Sequence, residues 1–215
     1  MTKNEKGDLY SKVASLKKLQ GSVGIEGITV IEEARSMGIK VEALNFVTPG
    51  LRGVAVISGS EIHNPDIILL NSNRTPKEQN FDCAHELMHI YLHGQLKKRS
   101  FQCYDGRTFQ NSYIEWQANE GAAEYCVPAA EFIPITVERL ENTALKKNEC
   151  ARKRFCKEMS DLFLVPEKVI AYRLDNLQYE MWQYMQGVPV QEWEFLSRGE
   201  QNRRGIVTPT LTIVR

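Results

Sequence analysis

The chain has 215 residues, enough for one large domain or two small ones. Its 27 basic and 27 acidic residues cancel, so no global cationic pull on nucleic acid operates and only local patches remain. No apolar run reaches the length that spans a membrane, and the opening MTKNEKGDLYSK lacks the apolar centre of an export signal. The five cysteines, Cys83, Cys103, Cys126, Cys150 and Cys156, are scattered and form no CxxC pair, so reduced thiols and a cytoplasmic location are expected.

Along the chain, Leu9, Val13, Leu16 and Leu19 recur at helical spacing and predict a short amphipathic helix over 8–20. A second helix is expected over 27–37, stopped by Gly38. Three strands follow, at Ile39–Asn45, at Gly53–Ile57 and at Asp66–Asn71, the last apolar enough to suggest burial on both faces. Thr75, Pro76 and Glu78 form the sequence signature of a helix start, a capping box with proline in the first turn. That helix is expected to end near Gly94. Residues 95–110 are basic, then polar, and read as an exposed loop. Helices are expected over 112–126, 136–147, 149–163 and from Pro166 to about Tyr179, with a continuation through Trp182 and Tyr184 left open. The segment 205–214 alternates and reads as a strand.

The helix from Pro76 carries His85-Glu86-Leu87-Met88-His89. Residues four apart lie on one face of an α-helix, one turn above each other. Two imidazoles so placed can hold one Zn²⁺ at about 2.0–2.1 Å each. Glu86 lies about 100° round the helix from His85, which suits a proton acceptor for water better than a third ligand. Cys83 is about 200° round the helix from His85 and is not expected to ligate. His93 lies one turn beyond His89, but three successive turns cover about 11–12 Å, too far for one ion, so it reads as a structural or C-terminal helix residue.

A catalytic zinc site needs three protein ligands and an open position. Glu115, Glu120 and Glu124 on the 112–126 helix are the candidates, and Glu115 is preferred because Asn119 shares its helical face. An amide there can accept the free ring N–H of a ligand histidine. For an oxyanion formed during amide hydrolysis, Tyr91, Tyr113 and Tyr125 are the available phenols, with Tyr91 reading as a core residue.

FDCAHELMHIYLHG followed by EWQANEGAAEYCVP resembles the ImmA/IrrE family of metallopeptidases. EEARSMGIKV, Ile67–Asn71 and SDLFLVPEKVIAYRLDNL extend the likeness to roughly residues 25–178. Gly121, Cys83 and Met88 depart from the family's commoner residues without touching the metal set. The resemblance implies a zincin-like α+β fold, a small and mostly antiparallel sheet on the HExxH helix followed by a helical C-terminal segment. It implies Zn²⁺ held by His85, His89 and Glu115, with Glu86 as the catalytic base. It also implies endopeptidase action on a protein, a helix-turn-helix transcriptional repressor of a phage or mobile element.

The corresponding organisation is a metallopeptidase domain over 1–135, a helix-turn-helix-like segment over 136–186 packed on it, and an unassigned tail over 187–215. Arg152, Lys153, Arg154, Lys157, Lys168 and Arg173 make the second segment locally basic, so DNA contact is a conceivable second role. Val169, Ile170, Tyr172 and Leu174 on its second helix, and the balanced net charge, favour packing over DNA. The alternative to a peptidase is a regulator of the same fold that acts by binding DNA or protein; Glu86 distinguishes the two, since a binding module needs no base beside the metal.

Overall fold

A computed structural model describes residues 5–19, 28–58, 64–96, 98–106, 111–142, 149–189, 191 and 194–207. They divide into two compact units, Lys17–Cys126 and, in the other, Met1–Leu16 with Val127–Arg215. The first helix, α1 (Glu5–Leu19), contributes its residues up to Leu16 to the second of these.

In the unit Lys17–Cys126, α2 (Val30–Ser36) begins at a capping box, with Thr29 accepting from the Glu32 N–H and the Glu32 carboxylate accepting from the Thr29 N–H. Three strands follow: β1 (Lys40–Leu44), β2 (Leu51–Val56) and β3 (Ile67–Asn71). Next come α3 (Pro76–His93), β4 (Ser100–Tyr104) and α4 (Ser112–Cys126). The strand order is β1-β3-β2-β4. β1 runs parallel to β3, while β2 pairs antiparallel with both β3 and β4. The sheet is therefore mostly antiparallel, as expected, and the architecture is α+β.

β4 was not expected. Its Phe101 and Cys103 turn into the core while Ser100 and Gln102 face out, a period of two that the charged lead-in Lys97-Lys98-Arg99 obscures. β3 is less enclosed than its apolar run suggests: Ile68 and Leu70 are buried, whereas Ile67 and Leu69 are half-buried. α3 starts as its sequence predicts, with Thr75 and Glu78 capping each other and Pro76 in the first turn. It packs on β2, β3, β4, α2 and α4, so nearly all of Asn80–His89 is sealed from water.

The other unit is helical beyond Val127: α5 (Ala129–Asn142), α6 (Glu149–Leu162), α7 (Glu167–Asn176), α8 (Gln178–Met185) and α9 (Arg198–Arg203). α5 begins seven residues before the expected 136, directly after Pro128, and it carries Pro134 inside it. The expected continuous helix beyond Pro166 is two, because Leu177 (φ −109°, ψ 16°) leaves helical geometry between α7 and α8. The α6–α7 turn passes through Leu164 at φ +52°, held by Val165 N–H to the Ser160 carbonyl and by the Ser160 hydroxyl to the Val165 carbonyl. On α7, Val169, Ile170 and Leu174 are buried as expected, but Tyr172 is exposed and Arg173 is fully buried. Arg173 therefore adds nothing to a basic surface. The strand expected over 205–214 lies outside the described residues from 208 on, and Gly205–Val207 are not strand. Among the described residues no helix is long and apolar enough to cross a membrane.

Candidate metal centre

α3 presents His85 and His89 on one face, and α4 packs against that face with Glu115 in its first turn. The two Nε2 atoms are 3.1 Å apart. Glu115 Oε2 lies 3.6 Å from His85 Nε2, and Glu115 Oε1 lies 3.4 Å from His89 Nε2. All three side chains are buried, Glu115 at 5% exposure. Glu120 and Glu124, the other two candidates on α4, are also buried but stand outside this cluster.

The fit to a cation follows from where the ring protons must be. Asn119 Nδ2 donates to the Glu115 carbonyl at 2.9 Å, which turns its Oδ1 toward His85 Nδ1 at 3.1 Å. That oxygen only accepts, so neutral His85 carries its proton on Nδ1 and Nε2 is a bare lone pair. Facing it are His89 Nε2 and a carboxylate, with Glu115 Oε1 lacking a hydrogen-bond donor. Ligands at about 2.0–2.1 Å from a tetrahedral ion would lie about 3.3–3.4 Å from one another, close to the separations found. The arrangement places acceptor against acceptor in a buried site, which a divalent cation would satisfy.

The electrostatics agree. Burial lowers the pKa of His89 to about 4, with His85 and His93 adding to the effect and Glu115 opposing it, so the ring is neutral and able to ligate. Burial alone would raise Glu115, but hydrogen bonding and charge from His85 and His89 outweigh it and hold the carboxyl at about 2, a value that belongs to rings presenting a proton to it rather than a bare nitrogen. Glu86 is fully buried, and burial together with the charges of Asp82 and Glu115 pushes it well above the usual carboxylate range, with Arg52 partly offsetting this. Neither Glu86 oxygen makes a well-aligned hydrogen bond among the described residues, although the Ala55 N–H is near enough to hold the rise back in part.

The sheet shapes the space around Glu86. Gly53 of β2 lies beneath it, and a Cβ there would come 2.7 Å from Glu86 Oε1 and 3.0 Å from its Cγ. Gly53 is paired with Leu70 on one side and Cys103 on the other, so the strand has no freedom to retreat. Asp82, one turn before Glu86, is buried between Arg52 and Arg74, which both donate to it.

Asn119 stands as expected, beside His85 and on the face of Glu115. Tyr91 does not read as core: it is 38% exposed. Tyr125 is buried and Tyr113 exposed, its hydroxyl accepting from Gln117 at 3.4 Å. Two β4 residues border the centre without having been anticipated. Phe101 stacks on His89, centroids 4.5 Å apart and planes 10° from parallel. Cys103 brings its sulfur within 4.8 Å of ligand atoms of His85 and Glu86. Their alternation with Ser100 and Gln102 was the available signal. Cys83, as expected, is not in the cluster.

A HExxH helix packed on a small mixed sheet, with an acid from the next helix, defines a metallopeptidase type of domain. The chain belongs to the IrrE N-terminal-like domain family, whose model matches residues 34–175, and this is a family of metallopeptidases. The chain is also similar to the uncharacterized protein YqaB of Bacillus subtilis (strain 168), 29% identical over 79 residues. That likeness covers 37% of this chain and 42% of YqaB, so the chain spans less than half the length of this curated relative.

Proposed function

We propose that this protein is a zinc-dependent endopeptidase. His85, His89 and Glu115 hold the ion and Glu86 is the catalytic base. The observation that carries the reading is the set of three buried side chains, His85, His89 and Glu115, whose facing atoms lie 3.1 to 3.6 Å apart, beside the buried carboxylate of Glu86. Two nitrogens and one oxygen with an open fourth position suit Zn²⁺. When bound, the ion supplies Lewis acidity to the scissile carbonyl and lowers the pKa of water in the site.

The chain's own groups do the rest. Asn119 holds His85 in the Nδ1–H tautomer and Phe101 holds the plane of His89. Glu86 takes the proton of the attacking water on its carboxylate and returns it to the leaving amine. A raised intrinsic pKa suits both halves of that task, since a base that is too weak or an acid that is too strong would stall one of them. Gly53 leaves the carboxylate the room to move between water and amine. Family membership suggests a protein substrate, and we assign a helix-turn-helix transcriptional repressor of a phage or mobile element as its class. A cytoplasmic site of action fits such a substrate.

The test combines metal analysis with cleavage of the repressor encoded nearest to this protein's gene. One Zn²⁺ per chain and cleavage by the wild type are expected, with His85→Ala and His89→Ala losing the metal. Full zinc content in both variants would remove the ligand assignment. The retained Glu86 argues against the regulator alternative, which predicts an unchanged biological response from Glu86→Gln.

A further inference from the structure

We propose that His93 and Gln117 form a relay that sets the tautomer and orientation of His89. The proposal rests on the metal-centre reading above and assigns two residues that the HExxH motif does not include. His93 is the last residue of α3 and is buried at 4% exposure. Its Nδ1 lies 3.2 Å from His89 Nδ1, and its Nε2 lies 3.1 Å from Gln117 Oε1 on α4.

The protons along this line follow from its outer end. Gln117 Nε2 donates to the Tyr113 hydroxyl at 3.4 Å, which leaves Oε1 facing His93. An amide oxygen only accepts, so neutral His93 carries its proton on Nε2. Its Nδ1 is then a lone pair, and it faces His89 Nδ1. His89 answers with Nδ1–H and keeps Nε2 bare, the nitrogen that faces His85 Nε2 and Glu115. His85 reaches the same state through Asn119 in a single step. The two ligand histidines are thus set by different supports, an amide for one and an imidazole backed by an amide for the other.

A helix-capping or packing role for His93 does not need this pairing. Packing is supplied by Phe101, whose ring lies 5.9 Å from that of His93. A phenylalanine at 93 would keep that contact and lose the acceptor. An asparagine would restore it, because Asn Oδ1 stands the same number of bonds from Cα as His Nδ1.

Two measurements on the full chain test the relay. In the metal-free protein, two-bond ¹⁵N–¹H correlation of the imidazoles should show His93 protonated on Nε2 and His89 on Nδ1. Zn²⁺ affinity, from competition with a chromophoric chelator, should fall about 10–100-fold in His93→Phe and recover most of the wild-type value in His93→Asn. Gln117→Leu should weaken binding in the same direction, and the metal-free variants should keep wild-type far-ultraviolet circular dichroism. A proton on His93 Nδ1, wild-type affinity in His93→Phe, or equal weakness in His93→Phe and His93→Asn would each overturn the relay. The two readings fail separately. A wild type that binds no Zn²⁺ while His93 shows the Nε2 proton defeats the metal centre, whereas a zinc-loaded His93→Phe of full affinity defeats only the relay.

Discussion

Each of the two units buries a cluster of ionisable groups, and the clusters are built on opposite plans. In the helical unit, Lys6 lies 3.6 Å from Glu180, both about 1% exposed, and donates to the Asn176 carbonyl. Arg173, fully buried, donates to the Tyr10 hydroxyl and lies over the Tyr10 ring, as Lys6 does from 5.4 Å. Lys6 faces the carboxylate, and both cations lie over the Tyr10 ring. In the other unit, Glu86 and Glu115 are buried with two imidazoles whose Nε2 atoms face each other. One cluster sets a cation of the chain beside its carboxylate, and the other sets acceptors against acceptors. Burial of ionisable groups marks both; whether the chain itself supplies the cation separates them.

The largest effect should come from Glu86→Gln. On the proposed assignment of Glu86 as base, its loss should lower peptide cleavage by about 10²–10⁴-fold. Zinc content should stay at the wild-type level, because the proposed ligands are His85, His89 and Glu115, and stability should not fall, since a buried carboxylate is replaced by a neutral amide. A cleavage rate within a few-fold of wild type would remove Glu86 from the chemistry.

The matching substitution in the other cluster should show the opposite profile. Lys6→Met leaves Glu180 buried without its cation, which should cost about 3–5 kcal/mol of stability, read from the urea midpoint. Zinc affinity should not change. In Lys6→Met/Glu180→Leu much of the loss should return, because the carboxylate is removed together with its cation. A single variant that costs well under about 1 kcal/mol would mean that water reaches Glu180 and that the contrast drawn here is false.

Gly53→Ala probes the space rather than the charge. The added methyl would meet Glu86 Oε1 at 2.7 Å, and that atom is the free end of a flexible side chain. The carboxylate should therefore swing away at little cost to the fold. Misplacing a catalytic group by about 1 Å can cost about 10²-fold in rate, so cleavage should fall by up to that amount while zinc content holds. Loss of folding instead would show that β2 and not Glu86 takes up the strain.

These contrasts differ in how far the amino-acid sequence discloses them. His85 and His89 are legible because one helix turn brings them onto one face, with Glu86 next in sequence to the first, and Thr75 to Glu78 mark where that helix starts. Glu115 is legible because Asn119 follows it by one turn and Glu115 alone of the three acids on α4 has that partner face. β4 is not legible, since five residues of alternation sit behind a run of three cations. Gly53 can be read as a strand glycine, but its reason, the Glu86 side chain 33 positions away, exists only after folding. The helical cluster is hidden more deeply. Lys6 and Glu180 each look like surface residues in their own helices, and Arg173 looks like part of a basic patch. Nothing local announces a pairing across most of the chain, because ion pairing depends on distance and not on periodicity.

The buried state of His89 is tested by the acid response of the metal-free protein. His89 titrates near 4 in the folded chain against an ordinary value of 6.5, because burial disfavours its charged form. Between those values the unfolded chain binds the proton first, so stability should fall as pH drops from about 6.5 to about 4, by at most about 1.4 kcal/mol per pH unit. Glu115 acts lower down: its carboxyl, held at about 2 against an ordinary 4.5, contributes stability above 4.5 that is lost as pH falls toward 2. The two windows are consecutive and have the same sign. Urea midpoints taken from pH 7 to pH 4 should therefore slope downward in the metal-free wild type and flatten in His89→Asn, which has no imidazole to charge. Zinc should lose affinity over the same range, because a protonated imidazole cannot ligate. An equal slope in wild type and His89→Asn would assign the acid response to other groups and leave the neutral, buried state of His89 without support.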